Sequence, residues 1–131
     1  MLKQHEGGCH CGQVRFRVRG DLGRLSECNC SICLKKGILH LSVAREDFEL
    51  LQGENALVTY RFNTGAAEHK FCRHCGIHPF GVPRVYPGRI TVNARCLDDI
   101  DACELKPTRF FDGRNWEEAA ARRRAEDGAS G

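Results

Sequence analysis

Cys9-His10-Cys11-Gly12-Gln13-Val14-Arg15-Phe16-Arg17-Val18-Arg19 contains two signals that bear on the fold. From Gln13 to Arg19 the residues alternate, with Val14, Phe16 and Val18 on one face and Arg15, Arg17 and Arg19 on the other. A period of two is the spacing of a β-strand. One apolar face backed by one charged face marks a half-buried strand of an antiparallel sheet. The three arginines either line an anionic pocket or face solvent. Ahead of the strand, Cys9 and Cys11 flank His10 and are followed directly by Gly12. Two thiols at that spacing form half of a metal site. Residues 1–8 read as a lead-in to it.

The other half lies far along the chain. Cys72-Arg73-His74-Cys75-Gly76 has the form of a zinc knuckle. In such a turn the glycine lets the backbone fold under, so that amides point at the two sulfurs. Cys11 and Cys72 are 61 positions apart, so a zinc ion on Cys9, Cys11, Cys72 and Cys75 would close the chain on itself. The entropy cost of closing a loop grows only slowly with its length. A structural zinc contributes on the order of 10–16 kcal/mol at neutral pH, comparable with the whole stability of a domain. The other reading of Cys-x-x-Cys is a redox pair, which needs a βαβ setting that the surrounding pattern lacks.

Cys28-Asn29-Cys30-Ser31-Ile32-Cys33 places three further thiols within six positions. Core packing does not ask for this, since free cysteine behaves as a small hydrophobe that Val or Ala could replace. Three convergent thiolates suit a soft-ligand metal, usually zinc. Cys28 and Cys30 can share a face of an extended strand, and a turn would then return Cys33 to the same point. Three protein ligands with one open position is the pattern of a catalytic zinc. A closed structural site would instead take a fourth ligand from Cys96 or from one of the histidines, His5, His10, His40, His69, His74 and His78. The spacing leaves both open. By default His40 is a packed or surface residue, Cys96 a buried small residue and Cys103 a loop residue.

The remaining sequence reads as short strands and turns. Strands are expected over 24–27, 38–43, 48–52, 57–62 and 89–93, with turns at 20–23, 35–37 and 63–65, a hairpin-type turn at 53–55, and 68–71 as a lead into the knuckle. Asn115 as N-cap and Glu118 at the third helical position open a helix over 117–126. Its triplet Arg122-Arg123-Arg124 is balanced by Glu117, Glu118, Glu126 and Asp127 and reads as a solvated helix face. The expected class is mainly β, an antiparallel domain with a short C-terminal helix. With 131 residues the chain fits one domain over 1–131, with a core over about 5–118 and a helix and tail over 115–131. A net charge of +3 is too small to argue for nucleic acid. No apolar run approaches the roughly 18 residues of a membrane span. Nine cysteines, an odd count without a leading apolar segment, point to a reducing, cytoplasmic setting in which clustered thiols bind metal.

Three separated motifs carry a resemblance. They are Gly7-Gly8-Cys9-His10-Cys11-Gly12-Gln13-Val14-Arg15-Phe16, Cys28-Asn29-Cys30-Ser31-Ile32-Cys33 and Phe71-Cys72-Arg73-His74-Cys75-Gly76. Together with the late Phe111-Asp112-Gly113-Arg114-Asn115-Trp116, they resemble the glutathione-dependent formaldehyde-activating enzyme family, which includes centromere protein V. The resemblance spans about residues 5–118. It implies coiled antiparallel sheets stapled by zinc, the β-tent. It also implies a structural zinc on Cys9, Cys11, Cys72 and Cys75 and a second, catalytic zinc on Cys28, Cys30 and Cys33. The implied reaction joins formaldehyde to glutathione as S-hydroxymethylglutathione, the reverse of a carbon–sulfur lyase.

The residues support that chemistry independently. A substrate thiol entering a three-thiolate zinc site would be deprotonated well below its free pKa of about 8.5 and could then add to an aldehyde. Alternatively the metal would polarise the carbonyl oxygen itself. Lys35 and Lys36 either attract a carboxylate-bearing thiol such as glutathione or are simply turn lysines. The sequence names no general acid or base. The competing class is a non-catalytic zinc-stapled module that binds chromatin, nucleic acid or a protein.

Overall fold

The structure is a computed structural model and describes residues 2–129. Strand outweighs helix, 36% against 29%, which makes the protein mainly β. Strands β1 (Lys3–Gly8), β2 (Arg15–Gly20) and β5 (Phe48–Gln52) form an antiparallel three-stranded sheet in the order β1-β2-β5. The other strands are β3 (Ser26–Cys28), β4 (His40–Ala44), β6 (Leu57–Tyr60), β7 (Glu68–Cys72), β8 (Phe80–Val82), β9 (Arg89–Asn93) and β10 (Arg109–Phe111). They form a seven-stranded sheet in the order β10-β3-β4-β9-β8-β7-β6. All its pairs are antiparallel except β10 with β3, which is parallel. The two helices are α1 (Ser31–Lys36) and α2 (Trp116–Ala129).

Alternation along β2 works as expected. Val14, Phe16 and Val18 are fully buried. They join Leu39, Leu41, Val43, Phe80, Ile90 and Val92 in one core cluster built from both sheets, apart from Val14, which packs with Cys9, Ala56 and Cys72. Phe48 couples the layers, with ring centroids 5.6 Å from Phe16 and 4.6 Å from Phe80. On the outer face Arg15 is paired with Asp98, and Arg17 with Glu6 and Glu49. These two arginines are surface ion pairs, and among the three only Arg19 reaches the large cavity described below.

Several elements differ from the sequence reading. The lead-in 3–8 is a strand, because its backbone pairs residue by residue with β2, although its polar residues carry no strand pattern. The turn at 53–55 is not a hairpin, since β5 and β6 belong to different sheets and the chain crosses between them there. The expected turn after the hexapeptide is the helix α1, started by Cys30 as N-cap. At the C-terminus a 3₁₀ turn (Gly113–Asn115) runs straight into α2, and Asn115 Nδ2 donates to Asp112 Oδ2 (2.8 Å). The arginine triplet is not wholly solvated. Arg123 lies over the Phe111 ring, and Arg124 donates to the Val85 carbonyl (3.2 Å).

Candidate metal centres

The sulfurs of Cys9, Cys11, Cys72 and Cys75 all lie within 4.8 Å of one another. Cys9 directly follows β1 and Cys72 ends β7, so the cluster joins the three-stranded sheet to the seven-stranded one. Its shortest sulfur separations include Cys9 to Cys11 (3.5 Å) and Cys11 to Cys72 (3.6 Å). The knuckle forms as its sequence suggests: Gly76, at φ +78°, donates to the Cys72 carbonyl (2.8 Å), and the His74 amide donates to Cys72 Sγ (3.4 Å). The Val14 amide likewise donates to Cys9 Sγ (3.3 Å). Amide donors aimed at sulfur stabilise thiolate, the form that binds metal.

Cys28, Cys30 and Cys33 form the second cluster, again with every sulfur within 4.8 Å of the others. Cys28 ends β3, Cys30 caps α1 and Cys33 lies in its first turn. The amides of Cys30 and Cys33 donate to Cys28 Sγ and Cys30 Sγ, each at 3.4 Å. Hydrogen bonds from Cys28 and Cys33 hold Cys30 down at about 2, while the Cys30 thiolate pushes Cys28 up to about 11 and, with Cys28, pushes Cys33 far above the ordinary thiol range. Without a compensating cation, three sulfurs this close support one thiolate between them. The donor set therefore fits a soft divalent ion such as zinc, which would let all three ionise.

The loop 112–115 closes over this cluster. A Cβ on Gly113 would lie 2.6 Å from Cys30 Cβ and 2.9 Å from Cys28 Sγ. Asn29 holds the loop in place: its Nδ2 donates to Asp112 Oδ1 (2.9 Å), and its carbonyl accepts from Arg114 Nε (3.1 Å).

His40 Nε2 is 3.3 Å from Cys33 Sγ, and its Nδ1 is 2.7 Å from Thr91 Oγ1. It does not belong to the group whose ligand atoms all lie within 4.8 Å of one another. It touches the Cys33 sulfur from outside that group. Burial lowers the pKa of His40 to about 4, so it is neutral at physiological pH. Cys96 lies elsewhere, directing its thiol at the His78 carbonyl (3.6 Å). Among the described residues, no fourth ligand atom joins the three sulfurs.

The triad opens into a cavity of about 1240 Å³ lined also by His40, His69 and His78. Lys36 Nζ donates to His78 Nδ1 (3.3 Å), and burial followed by the Lys36 charge lowers His78 to about 3. One wall comes from α2 and the segment before it, where Arg84 stacks 3.6 Å above the Trp116 ring. Sequence reasoning named His40, His69 and His78 only among six candidate fourth ligands, without placing them together in one cavity, and gave Gly113 no role. The available signal was that His69 and His78 each stand three residues outside the knuckle cysteines.

Fold and sites together define a mainly β protein with two cysteine clusters suited to thiolate-bound metal, one joining its sheets and one open to a cavity. A family model described as glutathione-dependent formaldehyde-activating enzyme matches residues 4–113, and the chain belongs to that family. The crystal structure of a Rhodobacter sphaeroides protein, a structural-genomics target, is 30% identical to the chain. It superposes with a TM-score of 0.75, covering 80% of this chain and 98% of its own. The family match ends at Gly113, so α2 and its wall of the cavity lie beyond it.

Proposed function

We propose that the protein is a zinc-dependent enzyme of the carbon–sulfur lyase type, forming or cleaving the adduct between a small thiol and an aldehyde. Glutathione and formaldehyde, the pair in the family's description, are the first substrates to try. The observation that carries the reading is the three-sulfur cluster of Cys28, Cys30 and Cys33, which faces a cavity and has no fourth protein ligand among the described residues. In this reading Cys9, Cys11, Cys72 and Cys75 hold a structural zinc, giving two zinc ions per chain.

A zinc ion on three thiolates, when bound, supplies a Lewis acid that lowers the pKa of an arriving thiol or polarises a carbonyl oxygen. The protein's own groups do the rest. The amides of Cys30 and Cys33 and the His40 contact orient the three sulfurs. Lys36 adds positive charge beside the cavity, where it can attract the carboxylates of a glutathione-like thiol. The cavity is large enough for a tripeptide thiol, since small-molecule sites commonly span about 300–1,000 Å³.

Cobalt exchanged into the protein tests the reading, because thiolate-to-cobalt charge transfer increases with each added sulfur. Glutathione should intensify that band in the native protein and not in Cys30→Ala, and adduct formation with formaldehyde should need a loaded triad. A band that no thiol in a broad panel perturbs would rule out the enzyme and leave a zinc-stapled binding module.

A further inference from the structure

Among the described residues that line the triad's cavity, His69 carries the one buried side-chain nitrogen without a hydrogen-bond partner, its Nε2. Both ring nitrogens of His40 are engaged, and His78 Nδ1 accepts from Lys36. His69 Nε2 is buried and has no hydrogen-bond partner, although the residue lines the same cavity as the three cysteines. Buried polar atoms nearly always have partners, so an orphan beside a site marks where a ligand group is received. The ring packs against two others, with centroids 5.5 Å from Phe62 and 6.1 Å from His78. Its direction is therefore set before any ligand arrives.

We infer that His69 is the proton-transfer residue of the proposed reaction, taking the proton from the substrate thiol at Nε2 and delivering it to the aldehyde oxygen. This rests on the reading of the triad as a thiol–aldehyde site. The S–H bond breaks with its proton passing to Nε2. The sulfur electron pair forms the S–C bond as the C=O π pair moves to oxygen, and Nε2–H then protonates that oxygen. One thiol and one aldehyde give one hemithioacetal, and nothing is oxidised or reduced. Burial, then the charge of Lys36, lowers the pKa of His69 against the opposing pull of Cys30, so the ring begins neutral and able to accept. The titratable groups facing it are Lys36 and Cys30 from the α1 region, His40 from β4 and His78 from the loop before β8.

The test uses the zinc-loaded full chain with glutathione and formaldehyde. In NMR spectra of histidine-labelled protein at pH 7.5, glutathione alone should move one imidazole, the one missing in His69→Gln, to its imidazolium position. His69→Gln should keep its zinc and its Tm but lose on the order of a hundredfold or more in turnover. The loss should shrink with more acidic thiols, and free imidazole should restore part of it. If wild type turns over while its His69 ring stays neutral and His69→Gln, or His69→Asn should the first not fold, matches its rate, the assignment is wrong and the thiol–aldehyde reading survives. If wild type binds no thiol at all, both fail.

Discussion

His40 reaches Cys33 through one ring nitrogen and Thr91 through the other, so one side chain ties a triad sulfur to β9. Groups that orient a ligand from behind typically change metal affinity 10–100-fold. His40→Ala should therefore weaken zinc at Cys28, Cys30 and Cys33 by about that factor. The cluster of Cys9, Cys11, Cys72 and Cys75 should keep its affinity, and competition with a graded series of chelators would separate the two. Gly113 acts by what it lacks. A methyl there meets the backbone-proximal Cβ of Cys30 at 2.6 Å, a contact no rotamer change relieves. Gly113→Ala should cost the triad its metal while the far-ultraviolet spectrum stays native. Two zinc ions retained per chain would contradict this.

The two cysteine clusters differ in what their elements connect. Cys72 ends a strand of the larger sheet, and two of its sulfur partners, Cys9 and Cys11, follow the first strand of the smaller one. Cys28, Cys30 and Cys33 lie within one short turn of chain. Cys72→Ala should consequently unfold or aggregate the protein, because structural zinc binding is folding free energy. Cys30→Ala should stay folded with one zinc fewer, and equal losses of Tm in the two variants would refute the division.

Helix α2 is anchored near its C-terminal end by Asp127, which accepts from Tyr86 and from Arg109 (2.8 Å). Burial raises the Asp127 pKa, but those donors outweigh it and hold the carboxyl below its ordinary range. A carboxyl lowered by folding stabilises above its unfolded pKa, and that stabilisation is lost as pH falls through the folded value. The α2 anchor should accordingly loosen below about pH 4. Trp116, the single tryptophan, reports it by fluorescence, and Asp127→Asn should flatten that acid transition.

For the molecule as a whole, the four-cysteine cluster spans the two sheets, so a metal held there would be coupled to the fold. We expect two zinc ions per folded chain when protein is prepared without chelator, counted by elemental analysis. A mild chelator should first remove the one open to the cavity, with little change in secondary structure. A strong chelator should then remove the second and unfold the chain in the same step. Release of both ions in one transition would mean that the clusters do not have separate roles.

What was legible in the sequence was local. A period of two along Val14, Phe16 and Val18 picks out a buried face because alternate side chains of a strand point to opposite sides wherever that strand lies. Cysteines two or three positions apart can meet because the backbone between them is too short to part them. The family was legible by the resemblance of the three motifs that carry seven such thiols, and their spacing pointed to groups of four and three. Pairing decided the rest. β1 has no strand pattern of its own and exists because β2 offers it a partner. The crossover at 53–55 depends on which sheet each strand joins. His40 meets the triad, and His69 and His78 line its cavity, only because β4 pairs β9, β9 pairs β8 and β8 pairs β7. Those registers depend on contacts between distant segments, and a local pattern that reports only backbone geometry within a few residues cannot encode them.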